Sequence, residues 1–255
     1  MSERFAWTIL QKGQLPLRPD GSVRQAVEHR CTTTLVWPAD RAPDADNTLM
    51  VDPCFTDEGY SLAEQALDRR GVSFDDIGHI FVTHLHADHM LHLPTTARSA
   101  LFRPFRPNTR PHVFASIEAQ VCPGHHPSQH ALHFEDDAGQ RVWIAGDAVL
   151  SDEWLREWAY FWPNGYGPQQ IVEHWRSLAR IVSEADVIVP GHDDPLPVTI
   201  ELVSHLIDTF PKAAYSAHCP DVAQALRARL TCLEKQDPPS NAGPRYGSPL
   251  QMSLY

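Results

Sequence analysis

Short apolar runs alternate with amphipathic stretches along this chain. FAWTIL (Phe5–Leu10), TTTLVW (Thr32–Trp37) and TLMVD (Thr48–Asp52) predict strands, being rich in β-branched and aromatic residues and bounded by Pro, Asp and Gly. SLAEQALDRRG then predicts a helix, with Ser61 as N-cap, Glu64 completing a capping box, Leu62, Ala66 and Leu67 on one side, and Gly71 as the stop. HIFV (His79–Val82) predicts a buried strand. HVFA (His112–Ala115), ALHFED (Ala131–Asp136) and RVWIAGD (Arg141–Asp147) predict three more, the last two joined as a hairpin through DDAG. Between Gln169 and Ala185, Ile171, Val172, Trp175, Leu178 and Val182 fall at helical spacing, and DVIVPGH (Asp186–His192) returns to a strand. TIELVSHLIDTF and DVAQALRARLTCLEK predict two amphipathic helices. The alternation predicts one α/β domain over residues 1–235, followed by a Pro/Gly/Ser-rich tail, 236–255, expected to be mobile or bound to a partner.

Composition narrows the class. A chain of 255 residues with 42% hydrophobic and 21% charged content builds an ordinary globular core, and no apolar run reaches the length of a membrane span. The start, MSERFAWTILQKG, lacks the apolar stretch and small-residue cleavage site of a secretory signal, so a cytoplasmic setting is expected. The five cysteines are scattered and include no C-x-x-C, which predicts reduced thiols rather than a disulfide framework or a structural zinc site. A formal charge of −11 and the lack of a Lys/Arg-rich run disfavour nucleic acid as a partner. The unusual feature is histidine: 15 of them, more than the 13 glycines, and many in a few short segments. Histidine is the commonest metal ligand.

THLHADH (Thr83–His89) follows the predicted strand HIFV directly, and open α/β sheets place ligands at such strand ends. In extended backbone His84, His86 and Asp88 share one face while His89 points the other way, so a tight loop brings two groups of ligands to two neighbouring ions. Imidazole and carboxylate suit catalytic zinc, and two ions about 3.5–4 Å apart can share a bridging hydroxide. Three later segments add ligands at a Gly turn or strand end: CPGHHPSQH with His125, His126 and His130, IAGD with Asp147, and VPGHDDP with His192. A Ser/His/Asp route has no G-x-S-x-G elbow to support it.

In order and type, these segments resemble the metallo-β-lactamase fold superfamily, whose signature is H-x-H-x-D-H followed by three further metal-binding motifs; the resemblance spans roughly residues 30 to 200. It implies an αββα sandwich of two mixed β-sheets flanked by helices. It also implies two zinc ions, with iron or manganese as the other metals such sites take. His84, His86 and His125 would bind one ion, Asp88, His89 and His192 the second, and Asp147 would bridge them with a water or hydroxide. His125 takes the ligand role because it directly follows Pro-Gly. Asp52, in VDP, matches the family's first motif, a carboxylate that supports the ligand loop without binding metal.

The implied chemistry is hydrolysis, with Asp88 the protein group best placed to carry a proton to the leaving group. A bridging Asp147 is typical of the glyoxalase II, lactonase and nuclease branches, whereas the stretch from Asp147 to His192 is too short for the inserted domain of the nucleic-acid-processing group. DEWLREWAYFWPNGYGP (Asp152–Pro168) concentrates aromatics beside the site. Trp154, Tyr160, Trp162 and Tyr166 are its candidate substrate-pocket residues, favouring a small-molecule ester, lactone or thioester with an apolar portion. Phosphodiester cleavage is the alternative within the fold; iron-dependent redox chemistry and a non-catalytic metal sensor are alternatives outside hydrolysis. No membrane partner is expected, and the tail leaves room for an oligomer.

Overall fold

The computed structural model describes residues 3–93, 103–106, 108 and 110–236. The tail beyond Gln236 lies outside them, and the last helix ends at Gln236, a single residue past the expected domain boundary.

Among the described residues, ten strands form two five-stranded sheets. The first runs β1 (Phe5–Gln11), β2 (Thr33–Pro38), β3 (Leu49–Val51), β4 (His79–Phe81) and β5 (Arg103–Pro104) in that spatial order. Its β1/β2 and β2/β3 pairs are antiparallel; β3/β4 and β4/β5 are parallel. The second sheet is ordered β10 (Leu196–Pro197), β9 (Val187–Pro190), β8 (Arg141–Gly146), β7 (His130–Glu135) and β6 (Glu118–Val121), with only β8/β9 parallel. Both sheets are therefore mixed.

Side-chain alternation makes the layers. In β8, Val142 and Ile144 face the core between the sheets, with Phe5, Val51, Phe81, Leu132 and Phe134. Trp143 and Ala145, one residue out of phase, face α3 (Pro168–Glu184), α4 (Ile200–Thr209) and α5 (Pro220–Gln236). In the first sheet, Leu35 and Met50 turn outward to meet Tyr60, Ala63 and Leu67 of α1 (Asp57–Asp68). A period of two that buries apolar side chains on both faces requires a cover on both sides of each sheet. The result is the αββα sandwich.

Two local expectations change. The first helix begins four residues before Ser61, because Thr56 caps it by accepting from the Gly59 N–H at 3.1 Å, while Ser61 lies inside the helix with its hydroxyl donating to the Asp57 carbonyl. HVFA is a 3-10 turn, His112–Phe114, rather than a strand. Pro111 precedes it and its carbonyl accepts from Phe114 N–H at 3.0 Å, and the turn buries Phe114 against Phe105 and His79 as a strand would have. Short apolar runs do not separate these two outcomes. A short helix, α2 (Asp152–Arg156), opens the aromatic segment.

Every ligand segment leaves a strand at the same edge of the sandwich. THLHADH follows β4, the PGHH loop joins β6 to β7, Asp147 follows β8, and His192 follows β9. Because Gly146 pairs with Pro190 in the parallel β8/β9 ladder, Asp147 and His192 emerge side by side.

Candidate metal centre

Asp52 organises the ligand loop. It is 1% exposed and sits at the end of β3 with φ +52°, a left-handed conformation that Asp tolerates better than most residues. Its Oδ1 accepts from Thr83 N–H at 2.7 Å, and its Oδ2 accepts from the Thr83 hydroxyl and from His89 Nδ1, both at 2.8 Å. These bonds fix tautomers. With Nδ1–H committed to Asp52, His89 turns Nε2 into the centre, the nitrogen whose lone pair an ion would take. The Thr83 hydroxyl, donating to Asp52, accepts from His84 Nδ1 at 3.1 Å, so His84 also presents Nε2.

The other histidines are oriented the same way from different elements. Tyr166 hydroxyl lies 3.1 Å from His125 Nδ1 and donates to the His125 carbonyl at 3.1 Å, while the Asn164 amide donates to the Tyr166 hydroxyl at 2.8 Å. His192 Nδ1 donates to the Arg30 carbonyl at 2.9 Å. Both histidines keep Nε2 free for an ion. Metal-binding imidazoles characteristically commit their second nitrogen in this manner.

The ligand atoms converge in two groups. His84 Nε2 and His125 Nε2 approach His86 Nδ1 at 2.9 and 3.0 Å. Asp147 Oδ2 stands 3.8 Å from His84 Nε2 and 3.2 Å from His125 Nε2. On the other side, Asp147 Oδ1 lies 3.1 Å from His89 Nε2 and 3.2 Å from His192 Nε2. Asp88 Oδ2 completes that side, 3.5 Å from His192 Nε2 and 3.8 Å from His89 Nε2. One carboxylate thus turns one oxygen to each group. All seven residues meet at one place: His84, His86, His125 and Asp147 form one group, and His89, Asp147 and His192 form another that Asp88 flanks.

These residues fit divalent metal. Tetrahedral zinc with ligands at about 2.0–2.1 Å has ligand-to-ligand edges of about 3.3–3.4 Å, and the separations of 2.9–3.8 Å bracket that value. Two of the converging atoms, His89 Nε2 and Asp147 Oδ1, are buried with no hydrogen-bond partner. An orphaned buried polar atom costs roughly 1–3 kcal/mol, and a shared cation satisfies both. Gly191 leaves room for this: a Cβ there would stand 2.0 Å from Asp147 Oδ1. Gly124, at the other Pro-Gly-His turn, has φ +127° and packs its backbone on His174, so no side chain fits before His125 either.

The electrostatics of the two groups differ. Burial pushes His84 down to about 4, outweighing the pull of Asp147, and it likewise lowers His86 and His125, so all three offer lone pairs at neutral pH. Burial also acts on His89 and His192, but there the carboxylates win. Asp147 and Asp52 hold His89 well above its ordinary range, and Asp147 with Asp88 raises His192. Burial raises the Asp147 carboxyl, yet His192, His89 and His125 together hold it well below the usual range. The second group therefore calls for positive charge.

The remaining sequence candidates are dispersed. Trp154 is 2% exposed, packed with Leu15 and Leu150, and its indole N–H donates to the Leu17 carbonyl, so it seats the N-terminal segment instead of facing a ligand. Tyr160 packs on Tyr166 and Trp175. Trp162 is 50% exposed. Tyr166 reaches the site as the partner of His125, and Phe161 has its ring 6.2 Å from the same histidine. His126 stands beside the first group, its ring 5.0 Å from that of His86, with Nδ1 accepting from Ser128 N–H. His29 has no spacing signal in the sequence, yet its Nε2 lies 3.0 Å from Asp88 Oδ2. His174, buried behind the PGHH loop, is equally unmarked in the sequence.

Fold and ligand set together describe a candidate divalent-metal centre in an αββα sandwich. The family model of the anti-Pycsar protein Apyc1 matches residues 43–157. Metallo-beta-lactamase domain-containing protein 1 of Mus musculus is 29% identical, the match covering 79% of this chain and 87% of that protein. Among solved structures, a putative metallo-beta-lactamase from Thermotoga maritima superposes with a TM-score of 0.51 at 18% identity, covering 76% of this chain and 99% of that one. A probable metal-dependent hydrolase from Staphylococcus aureus gives 0.52 at 13% identity, covering 76% and 91%. The chain has the fold of these metallo-β-lactamase-type structures. Among the described residues, no helix is long and apolar enough to cross a membrane.

Proposed function

We propose that the protein is a dinuclear zinc hydrolase that cleaves a small-molecule ester, lactone or thioester. The observation that carries this reading is Asp147, which turns Oδ1 to His89 and His192 and Oδ2 to His84 and His125. Two zinc ions, when bound, supply hydroxide near neutral pH and polarise the scissile carbonyl.

The chain's own residues do the rest. His84, His86 and His125, kept neutral by burial, would hold one ion, and His89, His192 and Asp88 would hold the other. Asp88 lies at the edge of the centre with its side chain 27% exposed. Burial raises its carboxyl, but the His29 hydrogen bond, His89 and His192 outweigh burial and keep it ionised. It is the side chain placed to accept a proton and pass it to the leaving oxygen or sulfur.

The surroundings favour an apolar acyl or ring portion. Leu85, Met90 and Leu91, on and just beyond the ligand loop, expose 62%, 46% and 46% of their surfaces, and Phe161 stands beside His125. The ligand loop carries no Lys or Arg, and Arg30, whose carbonyl meets His192, has its guanidinium paired with Glu28 and Glu58. A phosphodiester would find no free cation there among the described residues.

The test is turnover of a panel of lactones, acyl thioesters, aryl esters, phosphodiesters and cephalosporins by zinc-loaded protein. Preferential hydrolysis of lactones, esters or thioesters is expected. Preferential phosphodiester turnover would overturn the choice of substrate class.

A further inference from the structure

The two halves of the centre are held by different segments of the chain. The first group is oriented by Thr83 and by Tyr166, which contact His84 and His125. The second is gripped by a strap, residues 28–32, that crosses from the N-terminal segment. Arg30 carbonyl accepts from His192 Nδ1, Thr32 N–H donates to the Gly191 carbonyl at 2.6 Å, and the Thr32 hydroxyl donates to the Asp193 carbonyl at 3.1 Å. The strap is itself fixed by a two-way backbone bridge between Gln14 and Arg30.

His29 is the strap's side-chain contribution. Its Nε2 lies 3.0 Å from Asp88 Oδ2, and its ring sits against that of His192 with centroids 5.0 Å apart at 48°. That nitrogen falls within 4.8 Å of the ligand atoms of Asp88 and His192 but does not join His89 and Asp147. A separation of 3.0 Å is an ordinary N–H···O length, and His29 stands outside the group that His89, Asp147 and His192 form. Donation to Asp88 accounts for it better than ligation. Neutral imidazole suffices, because the carboxylate needs only one N–H.

Asp88 needs such a partner. Of the second group it is the most exposed member, 27% for its side chain against 0%, 5% and 1% for His89, Asp147 and His192. A short carboxylate at a solvent edge has staggered alternatives that face away from the ion. We propose that His29 is a positioning residue that holds Asp88 toward the second ion, so that the 28–32 strap sets occupancy of the second site without affecting the first. This inference rests on the two-ion reading above.

The experiment is titration of metal-free protein with Zn2+ against a chromophoric chelator, with bound zinc counted by elemental analysis. In His29→Ala the first equivalent keeps its wild-type affinity and the second weakens 10- to 100-fold, the usual effect of losing a partner of a metal ligand. His29→Gln, whose amide can still donate, recovers some of that loss; His29→Leu, which keeps bulk against His192 but no donor, does not. Tyr166→Phe shows the converse, weakening the first equivalent only. Wild-type affinity for both equivalents in His29→Ala, equal weakening of both, or equal behaviour of the Leu and Gln variants overturns the proposal. Wild-type protein that binds fewer than two equivalents refutes the two-ion reading itself.

Discussion

Asp52 does not join the candidate ligand groups, yet Asp52→Asn should weaken the binding of one ion and spare the other. The wild-type carboxylate receives three hydrogen bonds, at 2.7, 2.8 and 2.8 Å, and offers none. An asparagine in its place must keep its carbonyl toward Thr83 N–H, where a donor faces it, and this turns the amide NH2 toward the Thr83 hydroxyl and His89 Nδ1. Two donors then meet at His89 unless the ring moves its proton from Nδ1 to Nε2. That shift removes the lone pair the second ion requires. His84 is affected less, since the Thr83 oxygen still has a lone pair for His84 Nδ1–H.

The change is small enough to leave a folded protein. Exchanging hydrogen bonds to a charged group for neutral ones costs about 1–2 kcal/mol, well inside a stability of about 5–15 kcal/mol. Asp52→Ala would instead strand three buried donors at roughly 1–3 kcal/mol each, and loss of metal would then be indistinguishable from loss of fold. For Asp52→Asn the second zinc equivalent should weaken 10- to 100-fold, about 1.4–2.7 kcal/mol, while the first stays within a few-fold. Zinc titration of metal-free protein measures this, and nitrogen NMR of the histidine rings reports which nitrogen of His89 carries the proton. Two equivalents bound with wild-type affinity, or an unchanged Nδ1–H on His89, would refute the reasoning.

Other perturbations test the rest of the centre. Asp147→Ala removes the residue common to both groups and should lower both zinc affinities and abolish turnover, whereas retention of two tightly held ions would show that the carboxylate does not bridge. Gly191→Ala places a methyl carbon where Asp147 Oδ1 stands, 2.0 Å away, and should cost about 1–3 kcal/mol of overpacking together with metal; a melting temperature and metal content like wild type would contradict that close approach. Burial pushes His174 down to about 4 although Asp147 raises it, so the unfolded chain, titrating near 6.5, binds the extra proton first and stability must fall as pH drops from about 6.5 to about 4. That shift corresponds to about 3 kcal/mol, and melting of metal-free His174→Leu should depend less on pH across that window; an unchanged slope would exclude His174 as a source. Zinc entering the second group should release more protons than zinc entering the first, because the carboxylates raise His89 and His192 while burial lowers His84, His86 and His125. Calorimetry in buffers of different ionisation enthalpy separates the two events, and equal proton release would show that the two groups do not differ in charge.

The layers were legible in the sequence because burial on both faces of a sheet leaves a readable trace. TLMVD, HIFV and RVWIAGD are apolar at consecutive positions, and each proved to be a strand covered on two sides. What failed to show were contacts without a period. HVFA buries Phe114 whether it forms a strand or a 3-10 turn, so hydrophobicity alone could not decide between them. Ser61 and Glu64 have the spacing of a capping box, yet Thr56 caps the helix, because Tyr60, one residue before Ser61, packs on Phe55 and Phe74 and carries the helix back toward the strand.

The centre shows the same division on a finer scale. The candidate ligands were legible because they follow strand ends closely, where short turns leave few positions for a side chain that reaches the centre. The groups that orient those ligands are under no such constraint. Arg30 acts through a backbone carbonyl that any residue could supply, Tyr166 reaches His125 from 41 positions away, and His29 comes from an irregular segment whose sequence, AVEHRC, has no period to read. Orientation of a ligand costs the sequence one side chain or one carbonyl, placed by tertiary packing. On the two-ion reading, the strength of each site would therefore be written mainly in contacts that appear only when the chain is folded, and those contacts differ between the two halves of the centre.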